Sequence, residues 1–273
     1  MAEAEFAGPA PALFIGHGSP SVALEDTQVT RAWRAMALSL PRPRAILAIS
    51  AHWFTQGTAV TAMARPKTIH DFGGFPPEMY QIQYPAPGDP DLALRVAQLL
   101  APTPVHLDVG EWGLDHGTWT VLMKAYPDAD VPVVQLSIDR TKPPAFHFEM
   151  GRKLARLRDE GVMILGTGNV VHNLGVMDWQ ARYGPAHPWA TRFHDFIRSA
   201  IETDRPEAVV GYEALGQDAH LAQPNPDHYY PLLYVLGARR PSDRVSIGPE
   251  HIEYKSISML SAVFESEPAR AAA

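Results

Sequence analysis

The chain has 273 residues, 46% of them apolar and 19% charged, a balance that supplies a large core and excludes intrinsic disorder as a description of the whole. Its 23 Lys and Arg stand against 30 Asp and Glu, and the resulting charge of −7 speaks against a nucleic-acid scaffold, because neutralising phosphates needs a basic face. Without cysteine, disulfides, Cys-based zinc sites, iron–sulfur clusters and thiol nucleophiles all drop out, and twelve histidines remain as metal ligands or proton carriers.

In chain order, residues 12–15 (ALFI) form a short strand that stops at Gly16-His17-Gly18-Ser19-Pro20. Residues 45–50 (AILAIS) form a second strand, ending at Ala51-His52-Trp53. Leu92, Val96, Leu99 and Leu100 recur at helical spacing, so residues 91–100 are an amphipathic helix. Residues 117–126 form another helix, and residues 131–138 the strand after it. Met150, Leu154 and Leu157 mark a helix with Arg152, Lys153, Arg156 and Arg158 on its wet faces. Residues 162–165 are a strand running into Gly166-Thr167-Gly168-Asn169. Phe193, Ile197, Ala200 and Ile201 give one more helix, closed by Arg205-Pro206, with His194 off the stripe and so at the surface.

Alternating strands and helices predict a single α/β domain with a central, mostly parallel or mixed sheet flanked by helices. No linker or repeat divides the chain, and 1–273 reads as one unit whose residues beyond Phe264 fray. No apolar run reaches the ~18–20 residues of a membrane span. The first twelve residues lack the basic start of a secretion signal, so a soluble cytoplasmic protein is expected, with no membrane or nucleic-acid partner.

Three histidines share one address: His17, His52 and His172 each follow a predicted strand. Side chains at the carboxyl ends of strands in an open α/β sheet converge on the crevice where such folds place ligands. Gly16, Gly18, Gly166 and Gly168 let backbone turn or approach closely beside them. A lone strand-end histidine is more often a hydrogen-bonded structural residue, but three at one kind of position favour a mononuclear His-rich metal site. His228 sits in a Pro-rich entry to a further helix. His116 follows Asp115, a natural N-cap, and on spacing alone it is a first-turn helix residue without chemistry. Phe72 and Phe75 lie in a loop, residues 71–76, that reads equally as an aromatic-walled lid or a packed Ω-loop.

Taken together, GHGSP (16–20), SAHW (50–53), DFGGFP (71–76), GLDHGTW (113–119), GTGNVVHNL (166–174) and DHYYPLL (227–233) resemble the class III extradiol ring-cleavage dioxygenases. The nearest branch is that of the 4,5-DOPA extradiol dioxygenases, related to the large subunit of protocatechuate 4,5-dioxygenase, over about residues 11–265. The resemblance implies that His17, His52 and His228 bind a metal, with His172 and His116 as acid/base and substrate-contacting histidines and His172 a candidate fourth ligand. It implies Fe(II) as the working metal, zinc as a common occupant, and a small catecholic substrate, DOPA-like or related, cleaved with O2 to a muconic semialdehyde. Trp53, Phe72, Phe75, Tyr229 and Tyr230 are the expected substrate walls. The chain departs from the branch at Gln223-Pro224, where His-Pro is usual, and its three imidazoles depart from the two-His-one-carboxylate iron site. A zinc hydrolase, or a non-catalytic metal-binding module on the same fold, are the alternatives that the same histidines leave open.

Overall fold

A computed structural model describes residues 8–266. Its elements are β1 (Ala12–Gly16), α1 (Gln28–Ser39), β2 (Ala45–Thr55), β3 (Thr58–Thr61), α2 (Pro90–Leu100), β4 (Val105–Asp108), α3 (His116–Ala125), β5 (Val133–Asp139) and α4 (Pro144–Leu154). There follow β6 (Val162–Gly168), α5 (Pro188–Glu202), α6 (Pro206–Val210), α7 (Gln217–Ala222), α8 (Tyr230–Ala238), β7 (Asp243–Ile247), β8 (Ile252–Glu253), β9 (Ile257–Ser258) and β10 (Ala262–Ser266). Proline occupies the first turn of α2, α4, α5 and α6, where its missing N–H and fixed φ cost nothing.

Eight strands form one mixed sheet in the order β4-β3-β5-β2-β6-β1-β10-β7. Its centre, β5-β2-β6-β1, is parallel, and β10 and β7 add to one side antiparallel. The apolar β1 and β2 reflect burial on both faces, because alternate residues of a strand serve opposite layers. Phe14, Leu47 and Ile49 pack into a core shared with α2, α4, α5 and α8. Leu13, Ile15, Ile46 and Ala48 face the other core, filled by Trp33 of α1 and Trp119 of α3. Helix α8 lies wholly inside, with all nine of its residues buried. This is the expected α/β architecture. Among the described residues, no helix is long and apolar enough to cross a membrane.

Several local expectations are corrected. Strand β2 does not stop at Ser50 but continues to Thr55, with a register shift against β5 between Ile49 and Phe54. Glu265 and Ser266 do not fray, because they pair with Arg244 and Asp243 of β7; the rest of that predicted fraying lies outside the described residues. Arg158 is not on a wet face: its side chain is fully buried and bidentate to Asp243 at 2.6 and 3.0 Å. His194 is buried too, its Nδ1 2.9 Å from Ser258 Oγ of β9, a long-range contact that the helix's own period does not reveal.

Candidate active site

The parallel strands deliver their carboxyl ends to one place. His17 directly follows β1, and its N–H donates to Gly168 O at the end of β6, 3.1 Å away. His52 rides on the extension of β2. His228 ends the short turn before α8, and Asn169, just past β6, donates its N–H to His228 O at 2.8 Å. Close backbone approach there requires glycine: a Cβ on Gly168 would sit 2.2 Å from His228 O, and one on Gly117 would sit 2.7 Å from the His52 ring.

His17, His52 and His228 each offer a ring nitrogen, all within 4.8 Å of one another. The His17 and His52 Nε2 atoms are 3.1 Å apart. Two facing imidazole nitrogens at that distance need a proton or a cation between them, and 3.1 Å is the span of two neighbouring ligands about 2.0–2.1 Å from a shared ion. Nδ1 of His228 is held by Asp227 Oδ1 at 2.8 Å, the carboxylate partner that commonly orients a metal-bound imidazole. Nδ1 of His17 is buried with no hydrogen-bond partner among the described residues. Imidazole donors suit zinc, iron, copper and nickel, so the residues present fit a divalent transition metal.

Two more histidines complete the cluster. The His172 ring stacks on His228, centroids 3.4 Å apart and 5° from parallel. His116, the first residue of α3, lies 3.8 Å from His52 between ring centroids, and its Nδ1 is 3.0 Å from Asp71 Oδ1. Asp71 also accepts the His116 N–H at 2.9 Å, while Asp115 caps α3 by accepting from Thr118 N–H at 3.2 Å. Burial, reinforced by the neighbouring imidazoles, pushes His17, His52 and His172 well below the usual histidine range, which favours the neutral ring that a metal ligand needs. Burial and the nearby Asp71 push the Asp115 carboxyl up to about 6.

The five histidines form the floor of a cavity of about 320 Å³. The expected walls divide. Phe75 lines the cavity, whereas Phe72 packs edge-on against His116, centroids 5.5 Å apart. Trp53 turns away: it neighbours His52 on a strand, so the two side chains take opposite faces, and its ring stacks on Trp112 at 5.5 Å. Tyr229 is fully buried outside the cavity, its hydroxyl donating to Val209 O at 2.8 Å. Tyr230 likewise packs away, against His147, at 4.3 Å. Sequence reasoning passed over the walls that are present, Leu174, Met177, Trp179, Tyr254 and Ile257, which carry no periodicity and come from two segments distant in sequence. Asp71 and Asp227 were visible only inside quoted motifs. Gln223 stands outside the cavity; its Nε2 donates to Asn169 O at 2.9 Å and Val170 O at 2.8 Å, bracing the segment that carries His172.

The family profile described as the catalytic LigB subunit of aromatic ring-opening dioxygenase matches residues 11–265. The chain belongs to the LigB family. It is therefore an aromatic ring-opening dioxygenase of the extradiol type. It is 55% identical over 254 residues to an Escherichia coli (strain K12) protein named 4,5-DOPA dioxygenase extradiol, covering 92% of this chain and 93% of that one. A Beta vulgaris protein of the same name is 40% identical over 232 residues, covering 82% of this chain and 85% of the other. The crystal structure of an uncharacterised protein from Escherichia coli K12 superposes with a TM-score of 0.81 at 48% identity, over 94% of this chain and all of that chain. This LigB dioxygenase thus joins its family's chemistry to a His/Asp group able to hold a metal ion.

Proposed function

We propose that the protein is an Fe(II)-dependent extradiol dioxygenase that opens a catechol ring beside its two hydroxyls, giving a muconic semialdehyde. The observation that carries this reading is the convergence of His17, His52 and His228 on one point at the floor of a walled cavity, with His116 and His172 beside them. In it, His17, His52 and His228 hold the metal. A divalent iron there would acidify the catechol hydroxyls and pass electron density from the ring to O2.

The remaining steps belong to the chain's own groups. The cavity holds the ring against the histidine floor, turning a many-body encounter into an intramolecular one. His172, stacked beside a ligand and open to the cavity, accepts the proton of the second hydroxyl at a ring nitrogen and later returns it. His116, beside Asp71, donates a proton to oxygen as the ring opens. Phe75 and the apolar walls exclude bulk water.

The test is to load the protein anaerobically with Fe(II), add a catechol, admit O2 and follow oxygen uptake with visible absorbance. Stoichiometric uptake with a yellow product is expected. Zinc-dependent ester or amide hydrolysis without oxygen uptake would instead establish a hydrolase on the same three imidazoles.

A further inference from the structure

We propose that Gln223, at the end of α7, is a positioning residue for His172, its side-chain amide clamping the backbone that carries this histidine; this rests on the ring-cleavage reading above. Strand β6 pairs with β2 as far as Thr167 and with β1 as far as Gly168, so the ladder stops short of the Asn169 and Val170 carbonyls. Gln223 Nε2 serves both, at 2.9 and 2.8 Å, one amide hydrogen to each. Gln223 is only 6% exposed, and its Oε1 is buried with no hydrogen-bond partner among the described residues. Turning the amide over would set that oxygen against two carbonyl oxygens, so the carbonyls dictate the orientation. The histidine usual here in the resembled branch offers one N–H on each ring nitrogen, and the two point apart, so it can hold one carbonyl where glutamine holds two.

The rest of the α7 terminus grips the same segment. Ala222 O accepts the His172 N–H at 2.8 Å, and Leu221 O accepts from Asn173 Nδ2 at 2.8 Å. These are carbonyls of the kind that a helix end leaves without intrahelical partners. Strand β9 supplies the other hold: Ser258 N–H donates to Val171 O at 2.9 Å, and Asn169 Nδ2 donates to Ser258 O at 2.7 Å. Residues 169–173 are therefore pinned by two elements remote in sequence, and Gln223 makes two of the bonds from the α7 side.

The clamp bears on His172 more than on His228. Asn169 N–H also donates to His228 O at 2.8 Å, but His228 has a second anchor in Asp227. Oδ1 of Asp227 accepts the His228 N–H at 2.7 Å and lies 2.8 Å from its Nδ1. No carboxylate pairs with His172 among the described residues; its ring has the stack on His228, at 3.4 Å, and the backbone beneath it. A proton donor or acceptor works only within hydrogen-bond reach of its partner, about 2.6–3.2 Å. Backbone that drifts at residues 169–172 therefore costs turnover before it costs metal.

The experiment is a double-mutant cycle on the Fe(II)-loaded full chain, with DOPA or catechol as the probe, whichever is turned over faster. It reads kcat and KM by oxygen uptake, beside iron content and the hydrogen–deuterium exchange of the metal-free protein. Gln223→Met, of similar length and without donors, is expected to lower kcat about ten- to hundred-fold, the cost of misplacing a reacting group by up to an ångström. KM and iron content are expected to stay within about two-fold of wild type, and amides of residues 169–173 to exchange faster. In a His172→Ala background the same substitution is expected to change kcat by less than about two-fold, whereas independent sites would keep the full factor. Gln223→His, which restores one of the two bonds, is expected to lie between the methionine variant and wild type, and it carries the same cycle if the methionine variant does not fold. A loss of equal size in both backgrounds, a loss that follows iron content, or wild-type kcat in the variants overturns the inference while leaving ring cleavage intact. Wild-type protein that takes up no oxygen with either probe overturns the ring-cleavage reading, and this one with it.

Discussion

His172 and His228 lie ring on ring, yet only His228 has its second nitrogen fixed by a carboxylate, Asp227, while His172 faces the cavity without one. On the proposed reading, that asymmetry gives holding to one and proton transfer to the other. His172→Ala is expected to keep the wild-type metal content and to lose ~10²–10⁴ in turnover, the usual worth of a general base. His228→Ala is expected to lose the metal itself. Elemental analysis beside steady-state kinetics separates the two, and metal loss in His172→Ala would make it a fourth ligand. At this scale the sequence exposed the histidines, because strand ends and flanking glycines are local signals. It misdirected on Trp53 and Tyr229, which adjoin His52 and His228 in sequence but leave the backbone in other directions, Trp53 to Trp112 and Tyr229 to Val209. Adjacency in sequence is a poor guide to adjacency around a cavity when side chains alternate.

Six elements, β1, β5, β6, α2, α3 and α5, fall within a few residues of where periodicity puts them, whereas the twelve-residue α1 goes unpredicted. The four-residue β3 and β4, and the two-residue β8 and β9, offer no period to detect, and it is β9 and its turn that carry Tyr254 and Ile257 to the cavity. Where elements meet, the decisive residues are small. Gly168 ends β6 against the turn that carries His228, with room for no Cβ: an added methyl would meet His228 O at 2.2 Å and Pro231 Cγ at 3.3 Å. Because the first obstacle is backbone, relief must come by moving the turn. Gly168→Ala is therefore expected to cost about 1–3 kcal/mol of stability and to weaken metal binding by displacing His228. Urea unfolding with a metal-affinity titration checks both. An alanine variant with wild-type affinity would mean that His228 is held by Asp227 alone.

Over the whole molecule, the last strands close the sheet around a buried ion pair. Arg158 donates to Ala10 O at 2.6 Å, Ala238 O at 2.8 Å and Phe264 O at 3.3 Å, and both Asp243 oxygens accept from it. It thus ties the entry to β1, the end of α8, β7 and β10. Read from its own helix, it looked like one of four solvated cations, since nothing within that segment announces a partner 85 residues away. Burial pushes the Asp243 carboxyl up, but the Arg158 guanidinium, the Arg240 N–H and the Ser266 hydroxyl outweigh it and hold the group below the usual carboxylate range. A carboxyl depressed in the folded state contributes stability in full above its unfolded value, about 3.9, and loses that contribution as pH falls through the folded one. Asp243→Asn, which leaves a buried guanidinium without its counter-charge, is expected to cost about 3–5 kcal/mol at neutral pH. The gap between wild type and variant should hold steady from pH 7 to about 5 and shrink progressively below about 4, as wild-type Asp243 takes up its proton. Urea unfolding of both proteins at several pH values measures that gap directly. A gap below about 1 kcal/mol, or one that is flat down to pH 2.5, would mean that Arg158 is stabilised by its three carbonyl partners and not by charge.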